Sequence, residues 1–326
     1  MKKIHILSIG GTIASVSPDP LSGTNYRTVL CSEEVLATLG RNKVSSIAEI
    51  TTEDIIRLDS ASLTVDHWLT LARRTEEVLK TSDAVIITHG TDTMEETAFF
   101  LNLCVNSSKP VILTGAMRPA SATGFEGALN LYNSITAAAS GKLEDCGVVI
   151  CMNGTLIAAR DARKIHPTRP DAFTPVEMGS IGCVTDGCTE LYYRPVRRHT
   201  VHSEFNCRKY DTLPEVRILY ACAGTPDDYF DLCKAKQTPG VVIAGVGNGN
   251  LSTIWQKRVK ELSGEMTFVR CTRANGFVNR NGSQDDDSMN SVCGGNLSAQ
   301  KARILLMFAL AEKLPIGEIQ RVFDQY

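Results

Sequence analysis

Short apolar runs rich in β-branched residues alternate with helix-patterned segments along almost the whole chain, and this alternation limits the fold more than any other feature. The strand-like runs are 4–9, 83–88, 110–114, 147–152, 216–221 and 241–246; the helical patterns fall near 65–80, 93–106, 127–140, 226–236, 252–262 and 298–311. Neighbouring parallel strands need long crossovers, which are usually helices, so the pattern predicts parallel sheets flanked by helices. It pauses in an irregular polar stretch from Tyr192 to about Pro214 and then restarts. At 326 residues the chain is long enough for two domains of ordinary size. The expected fold class is α/β with two domains, each built on a mainly parallel sheet flanked by helices: an N-terminal domain over 1–191, a linker over 192–214 and a C-terminal domain over 215–326. Arg194, Arg197 and Arg198 in the linker read as a solvated cluster rather than a phosphate site, since domain boundaries are commonly exposed and polar. Asn279 to Asn290 reads as an acidic, polar loop.

In open α/β sheets ligands bind beyond the carboxyl ends of the strands, so the residues that follow each strand are where chemistry is expected. The first run leads into Gly10-Gly11-Thr12-Ile13-Ala14-Ser15 and the second into His89-Gly90-Thr91-Asp92-Thr93-Met94-Glu95-Glu96-Thr97. Both repeat one design of apolar strand, glycine and threonine. Two hydroxyls delivered by two parallel strand ends suggest a single site, with Thr12 the candidate nucleophile. A threonine hydroxyl attacks a carbonyl only when a neighbour takes its proton, and the oxyanion that forms needs donors, which the backbone N–H groups beside Thr12 and Thr91 would supply. Thr91 or Thr93 also reads as a helix cap, with Glu95 and Glu96 in the first turn at the positive end of the helix dipole.

A third segment, Asn153 to Lys164, follows the apolar run ending at Met152 and would carry Lys164 toward the same strand ends. By itself such a lysine reads as a solvated surface amine; desolvated beside Asp92 it could relay a proton. The formal net charge of −2 offers no basic field for nucleic acid. No apolar run approaches the ~20 residues that span a bilayer. The segment after Met1-Lys2-Lys3 is too short for a signal-peptide core and lacks its cleavage site. The eleven cysteines are scattered, without a Cys-x-x-Cys pair of the kind that builds zinc or redox sites. Most read as small apolar residues in strands, Cys151 and Cys222 as buried and inert, and the set suits a reducing compartment.

Together the motifs resemble one family, the bacterial-type asparaginases, homotetrameric amidohydrolases that convert L-asparagine to L-aspartate and ammonia with variable activity on glutamine. The matching segments are Gly10 to Ser15, His89 to Thr97, Gly115-Ala116-Met117-Arg118-Pro119, Arg160-Asp161 followed by Lys164, Ala244-Gly245-Val246-Gly247-Asn248-Gly249-Asn250, and Gln300-Lys301-Ala302-Arg303. They run in order over essentially the whole chain. The resemblance implies the catalytic residues Thr12, Tyr26, Thr91, Asp92 and Lys164. Thr12 would attack the side-chain carbonyl carbon with help from Tyr26. Tyr26 lies on the loop Val16 to Tyr26, which has the proline, glycine and serine content of a mobile segment and resembles the family's lid. Thr91, Asp92 and Lys164 look like the family's second triad, in which Lys164 lowers the cost of deprotonating Thr91 or a water. Which threonine acts in each half-reaction stays open. The implied substrate-binding residues are Gly11, Ser60, Ala61, Gly90, Thr91, Asp92, Asn250 and Ser283, with Ser60 on the α-carboxylate and Asp92 on the α-ammonium. No metal and no organic cofactor is implied.

Several positions depart from the family pattern. Ala61 stands where secreted members commonly have glutamine. Ser283 aligns with a glutamate that a neighbouring subunit sets against the α-ammonium, and a shifted loop would put Asp285, Asp286 or Asp287 there instead. Hydrogen bonds to charged groups are worth about 1.5–3 kcal/mol each, so two losses would weaken the hold on a free α-amine by orders of magnitude. Two readings follow: ordinary asparaginase activity resting on Ser60, Asp92 and Asn250, or an amidohydrolase acting on an N-α-substituted asparagine or glutamine. Ile9, where threonine is usual, should only pack. The cysteine pair that secreted members join aligns with Leu79 and Ser107, so that bridge should be absent, as suits a cytoplasmic enzyme. The resemblance also implies a homotetramer, a dimer of dimers, with Asn250 and the loop near Ser283 acting in trans, a small-molecule amide as substrate, and neither nucleic acid nor membrane as partner. A tRNA-dependent amidotransferase subunit would carry a further N-terminal domain, whereas this chain starts at its first strand. A non-catalytic binding protein would lose part of the set Thr12, Thr91, Asp92 and Lys164, and all four are present.

Overall fold

The apolar runs become strands whose burial explains their composition. The computed structural model describes residues 1–21, 25–40 and 44–326, which divide into the units Met1–Lys209 and Tyr210–Tyr326. In the first unit the strands are β1 (Lys2–Gly10), β2 (Ser15–Val16), β3 (Arg27–Thr28), β4 (Ala48–Leu58), β5 (Ala84–Thr88), β6 (Val111–Thr114), β7 (Val148–Met152), β8 (Thr155–Ala158), β9 (Ala162–Lys164), β10 (Phe173–Pro175), β11 (Gly182–Thr185) and β12 (Cys188–Leu191). Its helices are α1 (Ser32–Ala37), α2 (Val65–Leu79), α3 (Met94–Cys104) and α4 (Gly127–Ala139). One sheet runs in the order β12-β11-β8-β7-β6-β5-β1-β4. From β4 to β7 all pairings are parallel, and β8, β11 and β12 are added antiparallel at the other edge. β5, β6 and β7 are buried at every position, as parallel strands covered on both faces must be, and so read as unbroken apolar runs. Helix α4 packs on β5 and β6, α3 on β7, and α2 on β5 and α3.

The second unit has a four-stranded, wholly parallel sheet in the order β13-β14-β15-β16, with β13 (Val216–Tyr220), β14 (Gly240–Gly245), β15 (Thr267–Thr272) and β16 (Val292–Cys293). Its helices are α5 (Asp228–Ala235), α6 (Thr253–Leu262), α7 (Asp286–Met289), α8 (Ala299–Ala311) and α9 (Ile316–Gln325). Phe230 anchors the core, with its ring 5.1 Å from Trp255 and 6.0 Å from Phe268.

The predicted elements all form, with ends shifted by at most a couple of residues, as fraying boundaries lead one to expect. The structure corrects four expectations. Cys222 lies just past β13 and is exposed, because the chain leaves the sheet at Tyr220. Most cysteines are buried, but in helices, turns and loops as well as strands; Cys104 and Cys233 lie in α3 and α5, and Cys207 in a short turn. His199, Thr200, Phe205 and Cys207, in the stretch expected to be a solvated linker, are buried, while exposed Arg194 donates to the carbonyls of Lys142 and Glu144. The polar loop 279–290 contains α7, held by a fully buried Asp286.

Candidate active site

The parallel pairing of β1 with β5 sets the two Gly-Thr turns side by side. Gly11 has φ +87°, a conformation that L side chains rarely adopt, and a Cβ built there would stand 2.3 Å from Gly90 Cα. A Cβ on Gly90 would in turn stand 2.7 Å from Ser60 Oγ. Glycine is therefore required at both positions for the turns and Ser60 to meet. Thr12 opens a single helical turn, Thr12–Ala14, and its hydroxyl donates to the Tyr26 phenol oxygen at 3.0 Å. Tyr26 sits just before β3, which pairs with β2, so a short antiparallel ladder frames the loop. Within the loop expected to be a lid, residues 22–24 lie outside the described residues. Before them, the Ser17 N–H donates to Ser121 Oγ at 2.8 Å, the Ser121 hydroxyl returns a bond to the Ser17 carbonyl at 3.0 Å, and the Thr123 N–H donates to the Pro20 carbonyl at 2.8 Å. The loop that follows Gly115 to Pro119 thus holds the segment 17–20.

Lys164 ends β9 opposite Phe173 of β10. Its Nζ donates to Thr91 Oγ1 at 3.0 Å and to Asp92 Oδ1 at 2.5 Å. The lysine side chain is 13% exposed and that of Asp92 60%, so the pair bridges the buried threonine and solvent. An ammonium has three donors and no acceptor, so the group can stabilise negative charge on Thr91 Oγ1, and once it has lost a proton it can take one from that hydroxyl.

The surroundings fix the second turn. The Thr93 hydroxyl donates to the Ser60 carbonyl at 2.8 Å, and the Ala61 N–H donates to Asp59 Oδ1 at 3.2 Å, leaving the Ala61 side chain exposed. Thr93 therefore caps α3 by position, while its hydroxyl is used across the turn. Among the described residues, the buried Ser60 hydroxyl has no hydrogen-bond partner. Such a group carries an unpaid desolvation cost that a ligand acceptor or donor would relieve. Behind the turn, His89 Nδ1 lies 2.5 Å from the Gly90 carbonyl and Nε2 lies 2.7 Å from Thr97 Oγ1, which also accepts from Trp68 Nε1 at 2.8 Å. A carbonyl only accepts, so Nδ1 carries the proton and Nε2 accepts from the Thr97 hydroxyl. Burial lowers the His89 pKa to about 4, which keeps the ring neutral. Sequence reasoning missed His89, Thr97 and Trp68 as supports. His89 stood inside a recognised motif, but no local pattern links Trp68 to it.

In the second unit, Val246 and Asn250 close a tight turn by reciprocal backbone bonds of 3.0 and 2.7 Å. Asn250 is half-buried, and its Oδ1 accepts from the hydroxyl of the exposed Ser283. Of the three nearby aspartates, Asp286 is enclosed by Arg270 and is thereby removed as a carboxylate for a substrate amine. Asp285 caps α7 through the Ser288 N–H at 3.0 Å, and Asp287 pairs with Arg280 at 2.8 Å. Among the described residues, no group of three His, Cys, Asp or Glu side chains is placed to hold a metal, and no helix is long and apolar enough to cross a membrane.

The family model described as Asparaginase, N-terminal matches residues 3–197, and the Glutaminase/Asparaginase C-terminal domain matches residues 215–323. A protein from Haemophilus influenzae named probable L-asparaginase periplasmic is 35% identical over 100% of this chain and 93% of its own. The glutaminase-asparaginase of Pseudomonas fluorescens biotype A is likewise 35% identical, over 100% of this chain and 91% of its own. The crystal structure of a probable cytoplasmic L-asparaginase from Campylobacter jejuni superimposes with a TM-score of 0.95 at 34% identity, covering 100% of both chains.

Proposed function

The chain belongs to the asparaginase family, and from that premise we propose that its first unit carries a threonine-nucleophile amidohydrolase site. The protein hydrolyses the side-chain amide of L-asparagine to L-aspartate and ammonia, with weak glutaminase activity. The observation that carries the mechanistic reading is the joining of Thr91 and Asp92 by Lys164, a residue more than 70 positions further along the chain. Thr12 attacks the amide carbon and passes its proton to the Tyr26 oxygen along their hydrogen bond, as the phenol passes its own proton on toward the amide nitrogen. The tetrahedral oxyanion is met by backbone N–H groups beside Thr12 and Thr91. The C–N bond then breaks, ammonia leaves with the transferred proton, and a water activated through Thr91 and Lys164 hydrolyses the acyl-threonine ester. Ser60 offers its hydroxyl, which has no partner among the described residues, to the α-carboxylate, and Asp92 offers its exposed carboxylate to the α-ammonium. Asn250 and Ser283 complete the substrate's surroundings from a neighbouring subunit of a homotetramer, a dimer of dimers, working in the cytoplasm.

A second reading is favoured by the exposed Ala61 methyl and by the neutral Ser283 beside Asn250, which leave the α-amine fewer charged partners. In that reading the preferred substrate is an N-α-substituted asparagine or glutamine. Ammonia release from L-asparagine, D-asparagine, L-glutamine and N-α-acetyl-L-asparagine separates the two. The highest kcat/KM on L-asparagine supports the first reading; the highest on the acetylated amide replaces it with the second. No release from any of them would sink both.

A further inference from the structure

We infer that Arg270 is the positioning residue for Asn250 and Ser283, an inference that rests on the substrate-binding reading of those two side chains. Arg270 on β15 is 2% exposed and Asp286 at the start of α7 is 0% exposed. Every guanidinium N–H has an acceptor. Nε donates to Asp286 Oδ1 at 2.7 Å, and Nη2 donates to Asp286 Oδ2 at 2.5 Å and to the Asn279 carbonyl at 2.9 Å. Nη1 donates to the Asn248 carbonyl at 2.8 Å and, at 3.5 Å, to that of Gly249. The carboxylate is equally filled, with the Ser291 hydroxyl 3.1 Å from Oδ1 and the Asn281 N–H 3.2 Å from Oδ2. Five donors and four acceptor sites are thus all engaged.

A buried ion pair is a poor source of net stability compared with apolar side chains of the same volume. What this one supplies is geometry, because two loops converge on it. The turn 247–250 is held through the carbonyls of Asn248 and Gly249, and the segment 279–286 through Asn279, Asn281 and Asp286. The Asn279 N–H also donates to Asn248 Oδ1 at 3.0 Å, and the Leu251 N–H to Gln284 Oε1 at 3.3 Å. The side chains of Asn250 and Ser283, one on each clamped loop, bond to each other. Gly249 fits the same purpose: its φ is +71°, and a Cβ there would stand 2.8 Å from Arg270 Nη1, so a side chain would push the turn off the guanidinium. Buried Arg270 and Asp286 act through these loops. Loosening the clamp therefore weakens substrate binding and spares the chemistry of Thr12, Thr91 and Lys164.

The test is steady-state ammonia release from L-asparagine by the full chain carrying Asp286→Asn, Ser291→Ala, Asn250→Ala, or each of the first two combined with the third. Ser291→Ala removes one bond to the carboxylate without unpairing a charge, so it reports even where Asp286→Asn does not fold. The expected result is a KM raised about tenfold by Asp286→Asn and about threefold by Ser291→Ala, with kcat within about twofold and no further rise on the Asn250→Ala background. Unchanged KM in the clamp variants, fully additive effects in the doubles, or a fall in kcat that matches the rise in KM would each overturn the inference. If Asn250→Ala alone leaves KM unchanged, the substrate-binding reading of Asn250 has failed, and the inference falls with it for that separate and recognisable reason.

Discussion

Lys164 spends two of its three N–H groups on Thr91 and Asp92, so in the proposed mechanism removing the amine leaves the Thr91 hydroxyl without its proton relay. Lys164→Met keeps much of the side chain's length and apolar stem. It is expected to lower kcat by about 10²–10⁴, the usual worth of a positioned acid–base group, with circular dichroism unchanged. Loss of less than about fivefold would remove Lys164 from the mechanism. His89 makes a different kind of prediction. Its folded pKa of about 4 lies below the ordinary 6.5 because burial disfavours the charged ring. Between these values the unfolded chain binds the proton and the native one does not, so stability is full above about pH 6.5 and falls as pH drops toward 4. The loss sums to about 3 kcal/mol. His89→Gln, which does not titrate, should be less stable at pH 7 and should lose part of the wild type's fall in urea midpoint between pH 7 and 4.5. Identical slopes for the two proteins would contradict this account.

The elements were legible where one physical signal dominated. β5, β6 and β7 lie inside a parallel sheet, and their sequences are unbroken apolar runs. β4 escaped notice because it is an edge strand whose exposed positions, Glu49, Thr51, Asp54 and Arg57, are polar or charged, and β15 because Arg270 interrupts its apolar run with a cation that the fold buries. The turns bearing Thr12 and Thr91 were visible because glycine marks them. The supports Thr97 and Trp68 were not, since their role depends on how α2 and α3 pack rather than on spacing. Lys109 belongs to the same hidden class. Its Nζ donates to the carbonyls of Leu79 at 2.6 Å and Ser82 at 2.8 Å, closing the C-terminal end of α2. It ties the segment after Ser107 to the end of that helix. Lys109→Ala is expected to destabilise the fold by about 1–2 kcal/mol and lower Tm by a few degrees, with kcat unaffected. An unchanged thermal melt would show that the clip adds nothing.

At the scale of the molecule, the proposed assembly has a consequence that single variants cannot reveal. Thr12 belongs to the first unit, and Asn250 and Ser283 belong to the second. If the second unit's residues serve a neighbouring subunit, a chain disabled at Thr12 still lends a sound Asn250 to its partner, and a chain disabled at Asn250 still lends a sound Thr12. Assayed at asparagine well below the raised KM of Asn250→Ala, tetramers of Thr12→Ala and of Asn250→Ala, each of low activity alone, should then complement when dissociated in mild denaturant, mixed in equal amounts and reassembled. With random pairing, half the sites receive an intact Thr12 and half of those an intact Asn250. Activity should recover to roughly a quarter of wild type, because a closed symmetric oligomer repeats one interface at every site. Sites completed within one chain would show no recovery, since every chain then carries one of the two defects. Sedimentation of the mixture supplies the control: tetramers that reform without regaining activity would refute action in trans, whereas a wild-type species active as a strict monomer would refute the assembly itself.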